Sequence, residues 1–308
     1  MTRRLWNASG QTTPSPLGQH WRRSSSARTV RNWSGWNRPG LLRSIRKTAM
    51  LLTLGSLAML PITACAGSPV SDAIRSELVP TGKLRAGMNL GNTLFTRKDP
   101  ASGELRGVSV DVMRELASCL GVPVEFVVYP TPGDVADAAD KNAWDVAILA
   151  IEEARAKTIA FSPAMTEIEA TYVVHRNSPL RSVDQVDSPG VRISAPEKAG
   201  YELYLARTLR HATLVRTKGS AASIELFNEG RADALAGLRP MLLESMHGLP
   251  DARLLEGKFM AVNHGVGTPR ERGAAAAYLK SFVEEMKASG FVARSIVQHD
   301  VQGLSALK

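Results

Sequence analysis

Acidic residues are missing from the first 64 positions of this 308-residue chain. Arg3, Arg4, Arg22, Arg23, Arg28, Arg31, Arg38, Arg43, Arg46 and Lys47 stand there, and no Asp or Glu. Removing these ten from the total of 38 leaves 28 basic against 29 acidic side chains in residues 65–308, a net charge of −1. The overall charge of +9 therefore belongs to a leader, and the nucleic-acid class that such a charge suggests loses its support. Cysteine is scarce as well, with Cys65 and Cys119 alone. No Cys/His grouping has metal-ligand spacing, so neither a metal nor another cofactor is expected. Tryptophan is rare outside the leader, where four of the five lie, and only Trp144 belongs to the body. The apolar run Ala49–Leu60 is too short to span a bilayer comfortably.

That run has another use. Arg43, Arg46 and Lys47 make a basic segment before it, and Ile62-Thr63-Ala64-Cys65 follows it. Small residues directly before a cysteine resemble the lipobox of bacterial lipoproteins. The resemblance implies cleavage before Cys65 and a diacylglyceryl anchor on it. An ordinary secretory signal with an incidental cysteine is the alternative. Residues 1–42, rich in Arg, Ser, Asn, Trp and Pro without period, read as disordered or as lying upstream of the true translation start. Residues 1–64 are thus a leader with a signal peptide, and 65–80 a tether.

The body alternates. A short strand starts near Leu84, and Asp99–Glu104 reads as a hairpin tip. Ser109 to Leu120 is helical, with Val112, Met113, Leu116 and Leu120 on one face and Gly121 as the stop; Cys119 reads as a small buried hydrophobe on it. Val122–Tyr129 is a strand and Gly133–Asn142 a polar helix. Val146–Ala150 follows as a short apolar run, the pattern of a strand buried on both faces. The β, hairpin, α, β, α, β order predicts a mostly parallel sheet. After a short strand at Thr171–His175 the pattern restarts at Gly190, with strands near 191–194, 212–216 and 231–237 and helices near 199–210, 221–229 and 240–246. Phe259–Asn263 reads as a strand, Gly265-Val266-Gly267 as a turn and Arg272–Ser289 as an amphipathic helix.

The motif order Gly82-Lys83-Leu84-Arg85, Gly107-Val108-Ser109-Val110-Asp111, Leu120-Gly121-Val122, Trp144-Asp145-Val146-Ala147, Arg155 ahead of Phe161-Ser162, and Glu229-Gly230-Arg231-Ala232-Asp233-Ala234 resembles family-3 extracellular solute-binding proteins, the amino-acid-type receptors of ABC importers. The resemblance covers roughly residues 80–295. It implies an α/β, two-lobed Venus-flytrap fold (type II periplasmic binding protein), each lobe a mostly parallel sheet flanked by helices, joined by two crossover strands. Lobe 1 would take 81–170 and 260–308, and lobe 2 171–259. A small anionic or zwitterionic ligand, a membrane permease as partner, a monomer, no nucleic acid, and a periplasmic or cell-envelope location with a lipid anchor on Cys65 are implied with it.

Within that frame Arg155 is the candidate carboxylate receptor, since a guanidinium fork matches a carboxylate bidentately. The chain departs from the family at several places. Glu152 stands where a threonine is usual, Thr93-Leu94-Phe95 where Pro-Pro-Phe is usual, and Lys198-Ala199 where a Gly and a Ser or Thr present backbone N–H groups. Leu238, followed by Arg239, holds the position of an aspartate that receives an α-amino group. The candidate ligand-binding set is Arg155, Glu152, Asn92, Phe95, Lys198, Ala199, Arg239 and Glu169. Loss of the amine acceptor and gain of Lys198 and Arg239 predict an anionic ligand; the alternative is that Glu152 or Glu169 receives an amine. Phe95 reads equally as core, Asn89 and Asn92 as turn formers, Asp111 as a local hydrogen-bonding group at a helix start, and Tyr201 and Tyr204 as packing. No nucleophile–base constellation is visible, so a binding protein is expected rather than an enzyme. The alternatives are a periplasmic enzyme on the same fold, resembling cyclohexadienyl dehydratases and using Glu152 or Glu169 as acid, and a sensory or accessory binding protein.

Overall fold

The computed structural model describes residues 70–308. The expectations for the leader, including the lipid anchor on Cys65, lie outside the described residues. Inside them, residues 72–78 of the expected tether form a helix, α1 (Asp72–Leu78), whose Ser71 side chain accepts from the Ile74 N–H. Leu78 is fully buried, and Glu77 accepts from Arg272 and from the Ala275 N–H, which ties the segment to the C-terminal part of the chain.

Then come β1 (Leu84–Asn89), the ribbon of β2 (Arg97–Lys98) and β3 (Leu105–Arg106), α2 (Val108–Leu120) and β4 (Val124–Tyr129). Gly107 stands at the start of α2, where a φ of 125° suits only glycine, and Gly121 ends it at φ 66°. Cys119 is half-buried against the core. The predicted helix at 133–142 is shorter: α3 (Pro132–Asp137) is capped by Thr131 and followed by a single tighter turn. β5 (Val146–Ala150) is buried at all five positions, as its composition predicts.

A short β6 (Ile159–Phe161) precedes β7 (Thr166–His175), twice as long as expected. The second half holds β8 (Arg192–Pro196), α4 (Gly200–Thr208), β9 (Thr213–Thr217), α5 (Ser220–Asn228), β10 (Ala234–Leu238) and α6 (Arg239–Ser245). β11 (Ala252–Leu254) leads to β12 (Met260–Pro269), α7 (Gly273–Ala288), α8 (Phe291–Gln298) and β13 (Ser305–Ala306). Gly265, Val266 and Gly267 lie inside β12, which corrects the expected turn. A Cβ at Gly267 would come 2.5 Å from Ile159 Cγ2, so close packing requires glycine there.

One continuous sheet runs β4-β1-β5-β12-β7-β10-β8-β9. β1 pairs in parallel with β4 and β5, and β8 in parallel with β9 and β10. Between these two parallel groups lie β12 and β7, which pair antiparallel with each other and with the flank each meets. Two parallel α/β lobes joined by two long crossing strands is the architecture that the motif order implies.

The same clasp holds each group. Asp145, just before β5, accepts from the N–H of Arg85 at 2.9 Å and from its Nε and Nη2 at 3.1 and 2.7 Å. Asp233, just before β10, accepts from the N–H of Arg192 at 2.8 Å and from its Nε and Nη2 at 3.0 and 2.9 Å. Each aspartate N–H also donates to the arginine's carbonyl at 2.8 Å. Asp145 takes a further bond from Arg272 Nη1 at 2.8 Å and is fully buried. The Trp-Asp and Arg-Ala-Asp motifs therefore fix neighbouring parallel strands. Asp111 is not a local cap either; it accepts from Ser295 Oγ and His299 Nε2 at 2.6 and 2.8 Å, joining α2 to α8.

Candidate functional site

Parallel strands end at a crevice where their connections diverge. A cleft of about 760 Å³, open mouth included, lies at the ends of β5, β8 and β10. Asn92, Phe95, Ile148, Ala150 and Arg155 line it from the first group; Pro196, Ala199, Gly200, Tyr201, Ser220, Leu238 and Met241 from the second; Val262 and His264 from β12. Most of this wall is apolar. Among the described residues the one acidic lining residue is Glu197, which is exposed.

Arg155 is 4% exposed. Its Nη1 donates to the Ala150 carbonyl at 3.0 Å and its Nη2 to the Lys198 carbonyl at 2.7 Å. Its Nε is one of four buried side-chain polar atoms without a hydrogen-bond partner among the described residues; the others are Thr96 Oγ1, Thr166 Oγ1 and His264 Nδ1. Burial pushes the Arg155 guanidinium down to about 10, and the Glu152 and Asp137 charges oppose that shift. A buried cation bonded only to carbonyl oxygens is poorly compensated and attracts an anion. Burial likewise pushes the His264 imidazole down to about 3, reinforced by the Arg155 charge and opposed by the Val262 carbonyl, so the ring is neutral at ordinary pH.

Of the eight residues expected in the site, Arg155, Asn92, Phe95 and Ala199 line the cleft. Phe95 is also core, 4% exposed, and packs on the His264 ring at a centroid distance of 4.7 Å. Asn92 uses its Oδ1 on the Leu94 N–H, and Asn89 its Oδ1 on that of Gly91, so both are turn formers at the cleft edge. The Ala199 N–H donates to the Pro196 carbonyl, and the Lys198 N–H to Glu202 at 2.8 Å; the backbone donors expected for an anion are engaged locally.

Four expected residues turn elsewhere. Glu152 is buried and pairs with Arg207 Nη1. Lys198 ion-pairs through Nζ with Asp137. Arg239 donates from Nε to Glu169 at 2.7 Å and from Nη2 to the Gly257 carbonyl, and Glu169 also meets Lys258. The expected enrichment of the cleft in positive charge is therefore corrected: each of these cations is matched by a carboxylate. Leu238 lines the cleft.

The two sides touch directly beside the cleft. Lys198, at φ 59°, gives its carbonyl to Arg155 and its ammonium to Asp137, while its stem covers Gly133. Arg207 crosses to Glu152, and a Cβ on Gly200 would stand 2.6 Å from Ala150 Cβ. Tyr201 and His264 are lining residues that the sequence did not single out as such. Tyr201 has the spacing of a packing residue; His264 has one legible signal, a lone imidazole set in an apolar and glycine-rich strand.

The chain is similar over 260 residues, 22% identical, to the ABC transporter glutamine-binding protein GlnH of Bacillus subtilis, covering 80% of this chain and 94% of the relative. In three dimensions it resembles a mutant of the arginine-binding protein ArgBP from T. maritima, with a TM-score of 0.61, 22% identity, and coverage of 73% of this chain and 98% of the other. An ancestral amino-acid-binding protein, a precursor of cyclohexadienyl dehydratase, matches with a TM-score of 0.59 and 21% identity over 72% and 97% of the two chains. The model of bacterial extracellular solute-binding proteins, family 3, matches residues 84–299, and this chain belongs to that family.

Proposed function

We propose that the protein is the extracytoplasmic receptor of an ABC importer, capturing a small carboxylate or amino-acid-like solute between its lobes. The observation that carries this reading is Arg155: a buried guanidinium on the cleft wall, with Nε unpartnered and no carboxylate bonded to it among the described residues. A ligand carboxylate supplies the missing charge. The apolar walls favour an aliphatic remainder, and with Glu152 paired to Arg207 and Glu197 exposed, an additional cationic group deep in the cleft is disfavoured.

Residues 81–170 with 260–308 form lobe 1 and 171–259 lobe 2. Ligand lands on lobe 1, lobe 2 closes over it, and closure is driven by the ligand's greater affinity for the closed form. A membrane permease then receives it. The chain acts as a monomer, held at the cell envelope by a lipid on Cys65. Binding is favoured over catalysis because Glu152 and Glu169, the acids that dehydratase-like chemistry would use, are paired with Arg207 and with Arg239 and Lys258.

Calorimetric titration with amino acids, 2-hydroxy acids, dicarboxylates and simple monocarboxylates tests the reading. Saturable binding of a carboxylate is expected. Binding confined to solutes without a carboxylate, or turnover of a prephenate-like acid, would overturn it.

A further inference from the structure

We propose that His264 is a specificity-determining residue of the cleft, hydrogen-bonding an N–H or O–H substituent on the carbon next to the carboxylate held by Arg155. The inference rests on the proposed carboxylate reading and adds to it a second contact. His264 is 6% exposed, lines the cleft, and has its Nδ1 without a partner. A buried nitrogen left unbonded is costly, so such atoms are rare unless a ligand or water satisfies them.

Register places the histidine beside the arginine. Arg155 donates to the Ala150 carbonyl, and Ala150 is paired with His264 across β5 and β12. Ala150 and His264 are one strand spacing apart, about 5 Å, and the Arg155 charge bears on the His264 ring, so both side chains can meet one small ligand. Phe95 packs on one side of the imidazole and holds its plane. The ring stays uncharged beside Arg155, so one nitrogen donates and the other accepts. An aspartate in this place would neutralise Arg155 and compete with the ligand carboxylate; an imidazole does not. With Leu238 at the position where an acceptor was expected, His264 on β12 offers a polar group that can receive a substituent.

The test uses three probes of one aliphatic skeleton: L-leucine, L-2-hydroxy-4-methylpentanoate and 4-methylpentanoate. They carry an ammonium, a hydroxyl and a hydrogen beside the carboxylate. Calorimetry on the wild-type protein, His264→Phe, His264→Gln and Arg155→Ala gives the affinities, with circular dichroism confirming that each variant is folded. The proposal expects leucine or the hydroxy acid to bind at least tenfold more tightly than 4-methylpentanoate. His264→Phe removes that preference, His264→Gln restores part of it, and Arg155→Ala weakens all the probes that bind. Which substituted probe gains identifies ammonium or hydroxyl as the group read. A preference that is absent in the wild type, or that survives His264→Phe, overturns the role of His264 while leaving the carboxylate reading intact. Binding of none of the three overturns the inference, and indifference to Arg155→Ala overturns the carboxylate reading and the inference with it.

Discussion

His264 takes up no proton in the folded protein until the pH falls to about 3, whereas in the unfolded chain it titrates near 6.5. The folded value is depressed, so the unfolded state binds the extra proton, and stability falls as the pH drops from 6.5 towards 3. The slope is about 1.4 kcal/mol per pH unit for one group. Between pH 7 and pH 5 the wild type should lose roughly 2 kcal/mol that His264→Phe does not lose. Urea denaturation at the two values measures it, and equal losses in both proteins would show that the ring is protonated in the fold. Arg155 was legible because a strand end, a single arginine and an ordered set of motifs pointed to one place. The fates of Glu152, Lys198 and Arg239 were not, because their partners Arg207, Asp137 and Glu169 lie 55, 61 and 70 positions away.

The strand–aspartate clasps carry the prediction that belongs to the elements. Asp145 and Asp233 make the same bonds to Arg85 and Arg192, but Asp145 is fully buried and serves Arg272 too, whereas the Asp233 side chain is 39% exposed. Removing one partner of a buried pair costs about 3–5 kcal/mol because the other charge stays buried, while exposed pairs contribute little. Asp145→Ala should therefore destabilise the body by about 3–5 kcal/mol and Asp233→Ala by much less, as read from chemical denaturation midpoints. Similar losses would mean that burial does not set the cost. Most elements were legible in the sequence because their signals are local: alternation, one apolar face on α2, Gly121 at its end. The misread segments depend on distant partners. β13 pairs with β7 across some 140 positions, and Gly267 of β12 makes way for Ile159 and Phe161 on β6.

At the scale of the whole molecule, closure depends on how near the lobes can come. Gly200 begins α4 in one lobe and Ala150 ends β5 in the other, and an added Cβ would meet that of Ala150 at 2.6 Å. Neither group can swing aside, since both are fixed to the main chain. Gly200→Ala should hold the lobes apart, raise the radius of gyration in small-angle scattering and weaken carboxylate binding at least tenfold. An unchanged radius with unchanged affinity would place the contact outside the closing motion. The two-lobed plan itself was legible from motif order, because β7 and β12 fall between two α/β repeats.

On the proposed function, Arg155 holds a ligand carboxylate in the cleft. This contact is tested most directly by calorimetric titration of the tightest-binding carboxylate against the wild type, Arg155→Lys and Arg155→Ala. Losing the charge-assisted fork costs about 2–5 kcal/mol, so the alanine variant should bind roughly thirtyfold more weakly or worse. The lysine variant should fall between, keeping the charge without the bidentate geometry. Equal affinity in all three proteins would contradict the account.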